Sequence, residues 1–213
     1  MSQKSLFEML GNRVIRRELR PGDYVHHQGD FAETVSFVES GQLVVEAYPT
    51  GQFEPHPIRF VGPKGLIGEE ALASSDALRA TTVRTLCGVK LAVVYRDELL
   101  SAIERSTAQS QFLLRTLVAA LHASHEALLA GVTGSAAQRV TRLLLHADQS
   151  LAESTGSFLF VTQHELARLA GVQRPTANRV LQDMQLAGWI ELKRSRLRVL
   201  ARDEMERSLA DPA

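Results

Sequence analysis

The sequence predicts an α+β protein that has a β-rich N-terminal half, one long helix and a C-terminal winged helix-turn-helix. Three observations support this fold class. Short segments rich in β-branched residues alternate with turn residues between Val14 and Tyr95, as in a sandwich, barrel or roll. Apolar residues then recur every three or four positions up to about Val132, which is typical of a long helix. Residues 161–192 contain two short helical patterns separated by a glycine and end in a strand.

Composition narrows the class of protein. The chain has 213 residues, of which 45% are hydrophobic and 23% charged, ordinary values for a folded protein in water. Its single cysteine, Cys87, excludes an internal disulfide framework and a multi-cysteine zinc or iron–sulfur site within one chain. Residues 1–10 lack the apolar core of a signal peptide, and charged and histidine residues interrupt the longest apolar run, at 113–132. We therefore expect a cytoplasmic protein with no membrane partner.

The N-terminal half is predicted to be one β-roll preceded by a short helix. Residues 2–11 are amphipathic, and their apolar members are Leu6, Phe7, Met9 and Leu10. Strands are predicted at 23–27, 34–38, 43–47, 57–61, 81–85 and 90–94. Glycine-containing turns lie between several of these segments, and helical structure is predicted from Arg96 to Ser106.

The long helix carries two apolar faces. One is a heptad seam formed by Leu114, Leu117, Leu121, Ser124, Leu128 and Gly131. The other is formed by Phe112, Leu113, Thr116, Ala120, Ala123 and Ala127. One face can pack on the chain's own β-roll and the other on a second subunit, so we expect a two-fold symmetric homodimer. The glycines of 131–134 predict a hinge, after which Ser135 caps a helix with Val140, Leu143 and Leu144 on its apolar face. A polar loop is expected over 148–157.

The helix-turn-helix pattern starts with a capping box, because Glu165 follows Thr162 by three residues. Gly171 ends the first helix, and a second helix begins after Gln173 with Pro175 in its first turn. Its predicted buried face consists of Ala177, Val180, Leu181 and Met184.

The outer face of this second helix carries side chains that can read base edges or reach phosphates: Arg174, Asn178, Arg179 and Gln182. Spacing alone is equally consistent with an ordinary surface hairpin of helices. Strands are predicted at 189–192 and 197–200 around the basic tip Lys193-Arg194-Ser195-Arg196, which reads as a wing. Seven basic and three acidic residues lie between Phe160 and Val199, although the whole chain has no net charge. This local excess favours double-stranded DNA as a partner.

A candidate anion site lies within the β-rich half. Glycines in 65–72 allow backbone N–H groups to approach an anion, and Arg79 can add a planar guanidinium eleven residues after Gly68. The carboxylate of Glu69 can accept a hydrogen bond from a sugar hydroxyl. On spacing alone, a structural turn beside a surface arginine explains the same residues.

Taken together, these motifs resemble the bacterial cyclic-AMP receptor protein and its fumarate–nitrate regulator relatives, the CRP/FNR family, over nearly the full chain. The resemblance rests on Val25–Thr34, Gly68-Glu69 with Arg79-Ala80-Thr81, Leu121–Glu126 and Gln173–Arg179. It implies three parts. Residues 1–106 would be a cyclic-nucleotide-binding β-roll of the double-stranded jelly-roll type, 107–134 a dimerisation helix and hinge, and 135–213 a winged helix-turn-helix that binds DNA.

The resemblance also implies a role for individual residues. Arg79 would pair with the cyclic phosphate, and Glu69 would accept from the ribose 2′-hydroxyl of cyclic AMP. Ser124 would bond the base across the dimer seam. The remaining ligand residues would be Gly68, Glu70, Ala71, Ala80, Thr81 and His125, with Glu70, Ala71 and Ala80 contributing their backbone only. On DNA, Arg174 and Arg179 would read guanines, and Thr162 would hold a phosphate. The other DNA contacts would be Gln163, Gln173, Thr176, Lys193 and Arg194.

Three departures from the family pattern stand out. Asn178, on the outer face of the second helix, could select an adenine. Pro175 replaces a base-reading glutamate, so the operator should differ at that step. Glu70 replaces an apolar residue and places a negative charge beside the anion site, which puts ligand affinity in question.

Three alternatives remain at this point: a regulator that needs no ligand; a haem, redox or metal sensor, with His122, His125 and Glu126 as candidate ligands; and an enzyme. No catalytic arrangement is recognisable, so we expect a non-enzymatic regulator without a metal cofactor and with RNA polymerase as a partner.

Overall fold

A computed structural model describes residues 7, 10–51, 54–132, 134–151 and 158–210. Their contacts divide the chain into two compact units. The first comprises the described residues up to Pro55 together with Phe60–His122, and the second comprises His56–Arg59 with the described residues from Ala123 onward. No helix in these ranges is both long enough and apolar enough to cross a membrane.

The strands between Ile15 and Tyr95 form two four-stranded sheets. All of their residues belong to the first unit except 56–59, which group with the second. The first sheet has the order β1-β8-β3-β6 and the second the order β2-β7-β4-β5. The strands are β1 Ile15–Leu19, β2 Tyr24–His26, β3 Thr34–Ser40, β4 Leu43–Ala47, β5 His56–Val61, β6 Leu66–Ile67, β7 Thr82–Thr85 and β8 Val89–Tyr95. The neighbours β1–β8, β8–β3, β3–β6, β2–β7 and β7–β4 pair antiparallel.

Strand β8 is buried on both faces, and this explains how the unit is layered. Val89, Leu91 and Val93 belong to one core cluster with residues of the second sheet, including Val45 and Val83. The alternate residues of β8 face the opposite way, into a second cluster that contains helical residues. The first sheet is therefore covered by the second sheet on one side and by helices on the other, because successive strand side chains point to opposite faces.

The covering helices are α1, Arg96–Glu104, and the beginning of α2, Thr107–Val132. Leu99 and Leu113 are the buried helical residues that anchor them to the first sheet. Phe7 and Leu10 are also helical, and the Phe7 ring meets Phe37 edge-on at 5.4 Å between centroids. Leu6 and Met9 of the predicted amphipathic helix lie outside the described residues.

The second unit combines four helices with a hairpin. Its elements are α3 Ala136–Leu151, α4 Gln163–Leu169, α5 Arg174–Leu186, β9 Ile190–Lys193, β10 Arg196–Val199 and α6 Arg202–Ala210. The core residues come from every one of them, and Leu144, Leu166, Leu181 and Ile190 are among the largest that are fully buried. Ser135 caps α3, since its Oγ accepts from Gln138 N at 3.3 Å and Gln138 Oε1 accepts from Ser135 N at 2.9 Å.

Several boundaries differ from the sequence predictions. Strands β1 and β6 were not predicted. Of the wing strands, β9 lies one residue later and β10 one residue earlier than expected. Helix α3 continues to Leu151, so the loop predicted at 148–157 is wrong for its first four residues, because Ala147 is buried and Asp148 pairs with Arg202 of α6 at 3.0 Å. Residues 152–157 of that predicted loop lie outside the described ranges.

The heptad seam on α2 is correct in period but shifted in phase. Leu114, Leu121 and Leu128 are exposed as predicted, but Leu117 is half-buried against the first unit's core. Val118 is exposed instead, at 44%. The exposed stripe therefore consists of Leu114, Val118, Leu121, His125 and Leu128, with steps of four, three, four and three residues.

Candidate functional site

The predicted anion cassette is a compact arrangement around one buried arginine. Arg79 is only 5% exposed, although it carries a full positive charge. Its Nη1 donates to the Gly68 carbonyl oxygen at 3.0 Å, and its Nη2 donates to the Thr34 carbonyl oxygen at 2.7 Å and to Thr34 Oγ1 at 3.1 Å. The guanidinium is thus held in a fixed plane by two neighbouring segments.

The backbone of Arg79 is fixed as firmly as its side chain. Its N–H donates to the Asp30 carbonyl at 2.8 Å, and its carbonyl accepts from Gly29 N–H at 2.9 Å. The early glycine turn and the cassette arginine, 50 residues apart in sequence, therefore lie side by side.

Gly68 is required at its position for two reasons. Its φ of +79° is in the left-handed region, at the residue that precedes the 3₁₀ turn Glu69–Leu72. A Cβ there would also lie 2.9 Å from the Thr34 carbonyl oxygen and closer still to Arg79 Nη1. A larger residue would therefore displace the Arg79 guanidinium from its position beside the Gly68 and Thr34 carbonyl oxygens.

The Glu70 carboxylate points toward Ala80 N–H and the Arg79 guanidinium. Its Oε1 accepts from Ala80 N–H at 3.2 Å. Its Oε2 lies 3.8 Å from Arg79 Nη1, an ion-pair distance longer than a hydrogen bond, and has no hydrogen-bond partner among the described residues. The Glu70 side chain is 22% exposed, so solvent screens this interaction only in part.

The electrostatics of the cassette reflect its burial. Burial lowers the pKa of Arg79, and the carboxylates of Glu70, Glu69, Asp30 and Glu33 oppose this change. Burial also lowers the pKa of His26 to about 4, and the positive charge of Arg79 adds to the effect. Neither His26 nor Thr34 was predicted as a site residue, because only the fold brings them to Arg79.

The other predicted ligand residues fall into two groups. Gly68 and Ala71 are buried in the cassette, Glu69 and Thr81 are half-buried there, and Ala80 is exposed. Ser124, half-buried, and His125, exposed, lie on α2 in the second unit. Their contact with a ligand remains a prediction. In the ranges that the structure describes, no three His, Cys, Asp or Glu side chains converge as metal ligands would.

The helix-turn-helix is built as the sequence predicts. Thr162 Oγ1 accepts from Glu165 N–H at 3.1 Å and donates to Glu165 Oε2 at 2.8 Å, while Thr162 N–H donates to the same Oε2 at 2.9 Å. Gly171 has a φ of +61° between the two helices. The Thr162 hydroxyl therefore caps the N-terminus of α4. A phosphate contact by Thr162, as predicted, would have to share this hydroxyl with the capping hydrogen bonds.

Helix α5 separates a buried face from an exposed polar face. Ala177, Val180, Leu181 and Met184 are all buried, as predicted. Among the residues predicted to touch DNA, Gln173, Arg174 and Arg179 are exposed, and Gln163, Thr176 and Asn178 are half-buried. Asn178 Oδ1 is buried and has no hydrogen-bond partner within the described part of the chain. Asn178 thus lies at the edge of the exposed face rather than at its centre.

The wing is a short hairpin that arranges its basic residues around one aromatic ring. Ser195, with a φ of +56°, completes the turn between β9 and β10. Lys193 Nζ, Arg196 Cζ and Arg198 Cζ lie 5.0, 4.8 and 5.1 Å from the centre of the Phe158 ring. Arg194, at the tip, is exposed. Phe158 was not predicted as part of the wing, because it carries no charge and precedes the helix-turn-helix by four residues.

Glu191 offsets part of the charge of the wing. Its carboxylate pairs with Lys193 Nζ and with Arg198 Nη2, each at 2.5 Å. The hydrogen bond from Lys193 is the main reason why the pKa of Glu191 is lowered. Arg194 and Arg196 are exposed and take no part in these two ion pairs.

An antiparallel β-roll together with a winged helix-turn-helix is the architecture of a two-domain DNA-binding regulator. The family models agree with this division. A cyclic nucleotide-binding domain matches residues 16–106, and a Crp-like helix-turn-helix domain matches residues 138–208. The chain belongs to the CRP/FNR family of transcriptional regulators.

Individual relatives share most of this chain. A CRP-like cAMP-activated global transcriptional regulator from Mycobacterium tuberculosis is 27% identical over 190 residues, which cover 84% of each chain. The cyclic AMP receptor protein of Thermus thermophilus is 28% identical over 178 residues, 83% of this chain and 80% of the relative. Among solved structures, the CRP-family regulator TTHB099 of Thermus thermophilus has a TM-score of 0.72 at 22% identity and covers 92% of this chain and 97% of that one, which shows a common fold.

Proposed function

We propose that this protein is a homodimeric transcriptional regulator that binds cyclic AMP in its β-roll and then binds a palindromic operator through α5. The observation that carries the proposal is the buried guanidinium of Arg79, seated against Gly68 and Thr34 in a glycine-containing turn. A buried cation of this kind needs an anion for compensation, and a cyclic phosphate is such an anion. The relatives named for cyclic AMP support this choice of effector.

Different residues of the cassette would contact the phosphate and the ribose of the nucleotide. Arg79 and the exposed N–H of Ala80 face the anion, and Glu69 is suited to accept from a ribose hydroxyl. Ser124 and His125 on α2 would contact the base from the dimer interface. Binding at this place would order the two α2 helices relative to each other, which links the ligand to the rest of the dimer.

The DNA-binding unit would place α5 in the major groove. Arg174 and Arg179 are exposed on its outer face and can donate in pairs to guanine. Thr162 would hold a phosphate. The other DNA contacts would come from Gln163, Gln173, Thr176, Lys193 and Arg194. In a two-fold dimer the recognition helices would enter successive major grooves, about 34 Å apart. Cyclic AMP and DNA would then each strengthen the binding of the other, and the bound dimer would contact RNA polymerase as an activator.

The test of the effector is isothermal titration of the purified protein with cyclic AMP, with cyclic GMP as a second ligand. Replacing Arg79 by alanine should weaken binding by about 2–5 kcal/mol, the usual loss when one partner of a buried charge pair is removed. Arg79→Lys keeps the charge without the planar fork and should give an intermediate loss.

Arg16→Ala is the matched control, since Arg16 is an exposed arginine of the same unit that pairs with Glu39 at 3.3 Å. It should bind as the wild type does. Equal affinity in the wild type and in the folded Arg79→Ala protein would sink the assignment of the cassette. No heat from either nucleotide would leave a DNA-binding regulator that responds to another signal or to none.

A further inference from the structure

The carboxylate of Glu70 has no role in the mechanism described so far, yet it lies at the centre of the anion cassette. It bridges the two donors that the cassette offers, with Oε1 on Ala80 N–H at 3.2 Å and Oε2 at 3.8 Å from Arg79 Nη1. These are a backbone N–H and a guanidinium N–H on successive residues. A phosphate would need the same pair of donors, since both anions accept hydrogen bonds through two oxygens on one central atom.

The Glu70 carboxylate compensates the charge of Arg79 from within the chain. Arg79 is 5% exposed, and a charge so deeply buried requires a counter-charge. Glu70 supplies a carboxylate oxygen 3.8 Å from the guanidinium. Glu69, Asp30 and Glu33 influence the pKa of Arg79 as well, but with smaller effects than Glu70.

We propose that Glu70 is an affinity-determining residue of the cassette, a tethered carboxylate that competes with an anionic effector for Arg79 and Ala80 N–H. The inference rests on the proposed function, because it names the residue that opposes cyclic AMP at that site. An incoming cyclic phosphate either displaces the Glu70 side chain or shares the cassette with it. Both routes weaken binding, the first through loss of the Glu70 contacts and the second through repulsion between two negative charges.

The competition sets which anions the cassette accepts. An incoming anion with one negative charge has to replace the Glu70 carboxylate. Its ion pair with Arg79 therefore only replaces the ion pair between Glu70 and Arg79 and adds little net binding free energy. Contacts to the rest of the ligand, such as that of Glu69 to a sugar hydroxyl, then decide the outcome. A small anion without such contacts has no advantage over Glu70, whereas a nucleotide does.

The experiment compares cyclic AMP binding by the full-length wild type, Glu70→Gln and Glu70→Leu in isothermal titration. Glu70→Gln keeps an oxygen that can accept from Ala80 N–H but removes the charge, so the fold of the loop is preserved. Glu70→Leu removes both. Each variant should bind cyclic AMP at least about tenfold more tightly than the wild type, the change that relief of about 1.4 kcal/mol produces.

Glu33→Gln is the matched control. Its carboxylate also raises the pKa of Arg79, but it is the weakest of the four carboxylates that do so. If Glu70 acts by direct contact, Glu33→Gln should change the affinity less than threefold. An equal gain in Glu33→Gln and Glu70→Gln would mean that the total charge matters and would overturn direct competition.

The remaining outcomes separate this inference from the proposed function. Wild type and both Glu70 variants binding cyclic AMP with one affinity would overturn the competition and leave the cyclic AMP assignment standing. Binding by the Glu70 variants alone would support the competition and show that the native cassette is closed to cyclic AMP. No binding by any of the three folded proteins would overturn both.

Discussion

His26 is a single residue whose burial beside Arg79 makes the stability of the β-roll depend on pH. Its pKa in the folded protein is about 4, below the ordinary value of 6.5, so the unfolded chain takes up a proton more readily than the folded one. The stabilisation is complete above pH 6.5 and is lost as the pH falls toward 4. A difference of this size corresponds to at most roughly 3 kcal/mol.

We expect the free energy of unfolding to fall by about 2 kcal/mol between pH 7 and pH 5 because of this one side chain. His26→Phe keeps a ring of similar shape but cannot titrate, so the difference between the two pH values should shrink by that amount. Urea unfolding followed by circular dichroism measures it. His27→Phe, at the exposed neighbouring position, should keep the wild-type dependence, and the same dependence in His26→Phe would contradict the assignment.

The site shows how far single residues can be interpreted from sequence. Gly68 and Arg79 were predicted to lie at one anion site, and in the structure Arg79 Nη1 donates to the Gly68 carbonyl oxygen at 3.0 Å. The sequence also marked Glu70 as a departure from the family pattern. It could not place the Glu70 carboxylate on Ala80 N–H, nor Thr34 on Arg79, because those contacts depend on side-chain rotamers and on strands that meet only in the folded sheet.

At the scale of elements, the wing depends on Phe158 to hold its basic side chains. Three cations lie within 5.1 Å of its ring centre. Each such interaction contributes about 0.5–1 kcal/mol at an exposed site. Since Glu191 already holds Lys193 and Arg198 from the hairpin itself, the ring and the carboxylate together limit the positions from which these side chains can meet a phosphate.

We therefore expect Phe158→Ala to weaken binding to a random-sequence DNA duplex about three- to tenfold, through loss of this pre-organisation. The slope of log affinity against log salt should stay the same, since no positive charge is removed. Fluorescence anisotropy over a series of salt concentrations measures both quantities. Phe158→Leu keeps apolar packing and should show most of the loss, and a wild-type affinity in both variants would exclude a role for the ring.

Elements with strong local signals were predicted best. The capping box at Thr162, the glycine after α4 and the buried face of α5 all follow from side chains within one or two turns of helix. Strand β1 was missed because its residues, Ile15–Leu19, are mostly charged and exposed at the sheet edge, so they lack apolar alternation. Strand β6 has only two residues and is fixed by its pairing with β3.

On α2 the predicted phase of the heptad seam was wrong because Leu117 and Val118 are adjacent apolar residues. The local sequence pattern cannot decide which of the two is buried.

At the scale of the whole molecule, the exposed stripe on α2 calls for a partner. Leu114, Val118, Leu121 and Leu128 are 44–65% exposed on one side of the helix. Full burial of a leucine or valine side chain contributes about 1.5–3 kcal/mol. The heptad spacing of the stripe suits a second copy of the same helix, since two such helices can interdigitate along their length.

We therefore expect the wild type to be a dimer at micromolar concentration and Leu121→Glu to be a monomer, because two like charges would face each other across a symmetric seam. Size-exclusion chromatography with light scattering gives the mass. Leu200→Glu is the matched control, since Leu200 is 54% exposed and Leu121 is 53% exposed, but Leu200 lies outside α2. It should remain a dimer. A monomeric wild type would contradict the proposed assembly, and a Leu121→Glu protein of dimer mass would place the interface on another surface. Because the recognition helices must span two grooves, the monomeric variant should also lose operator binding while its β-roll keeps its circular dichroism spectrum.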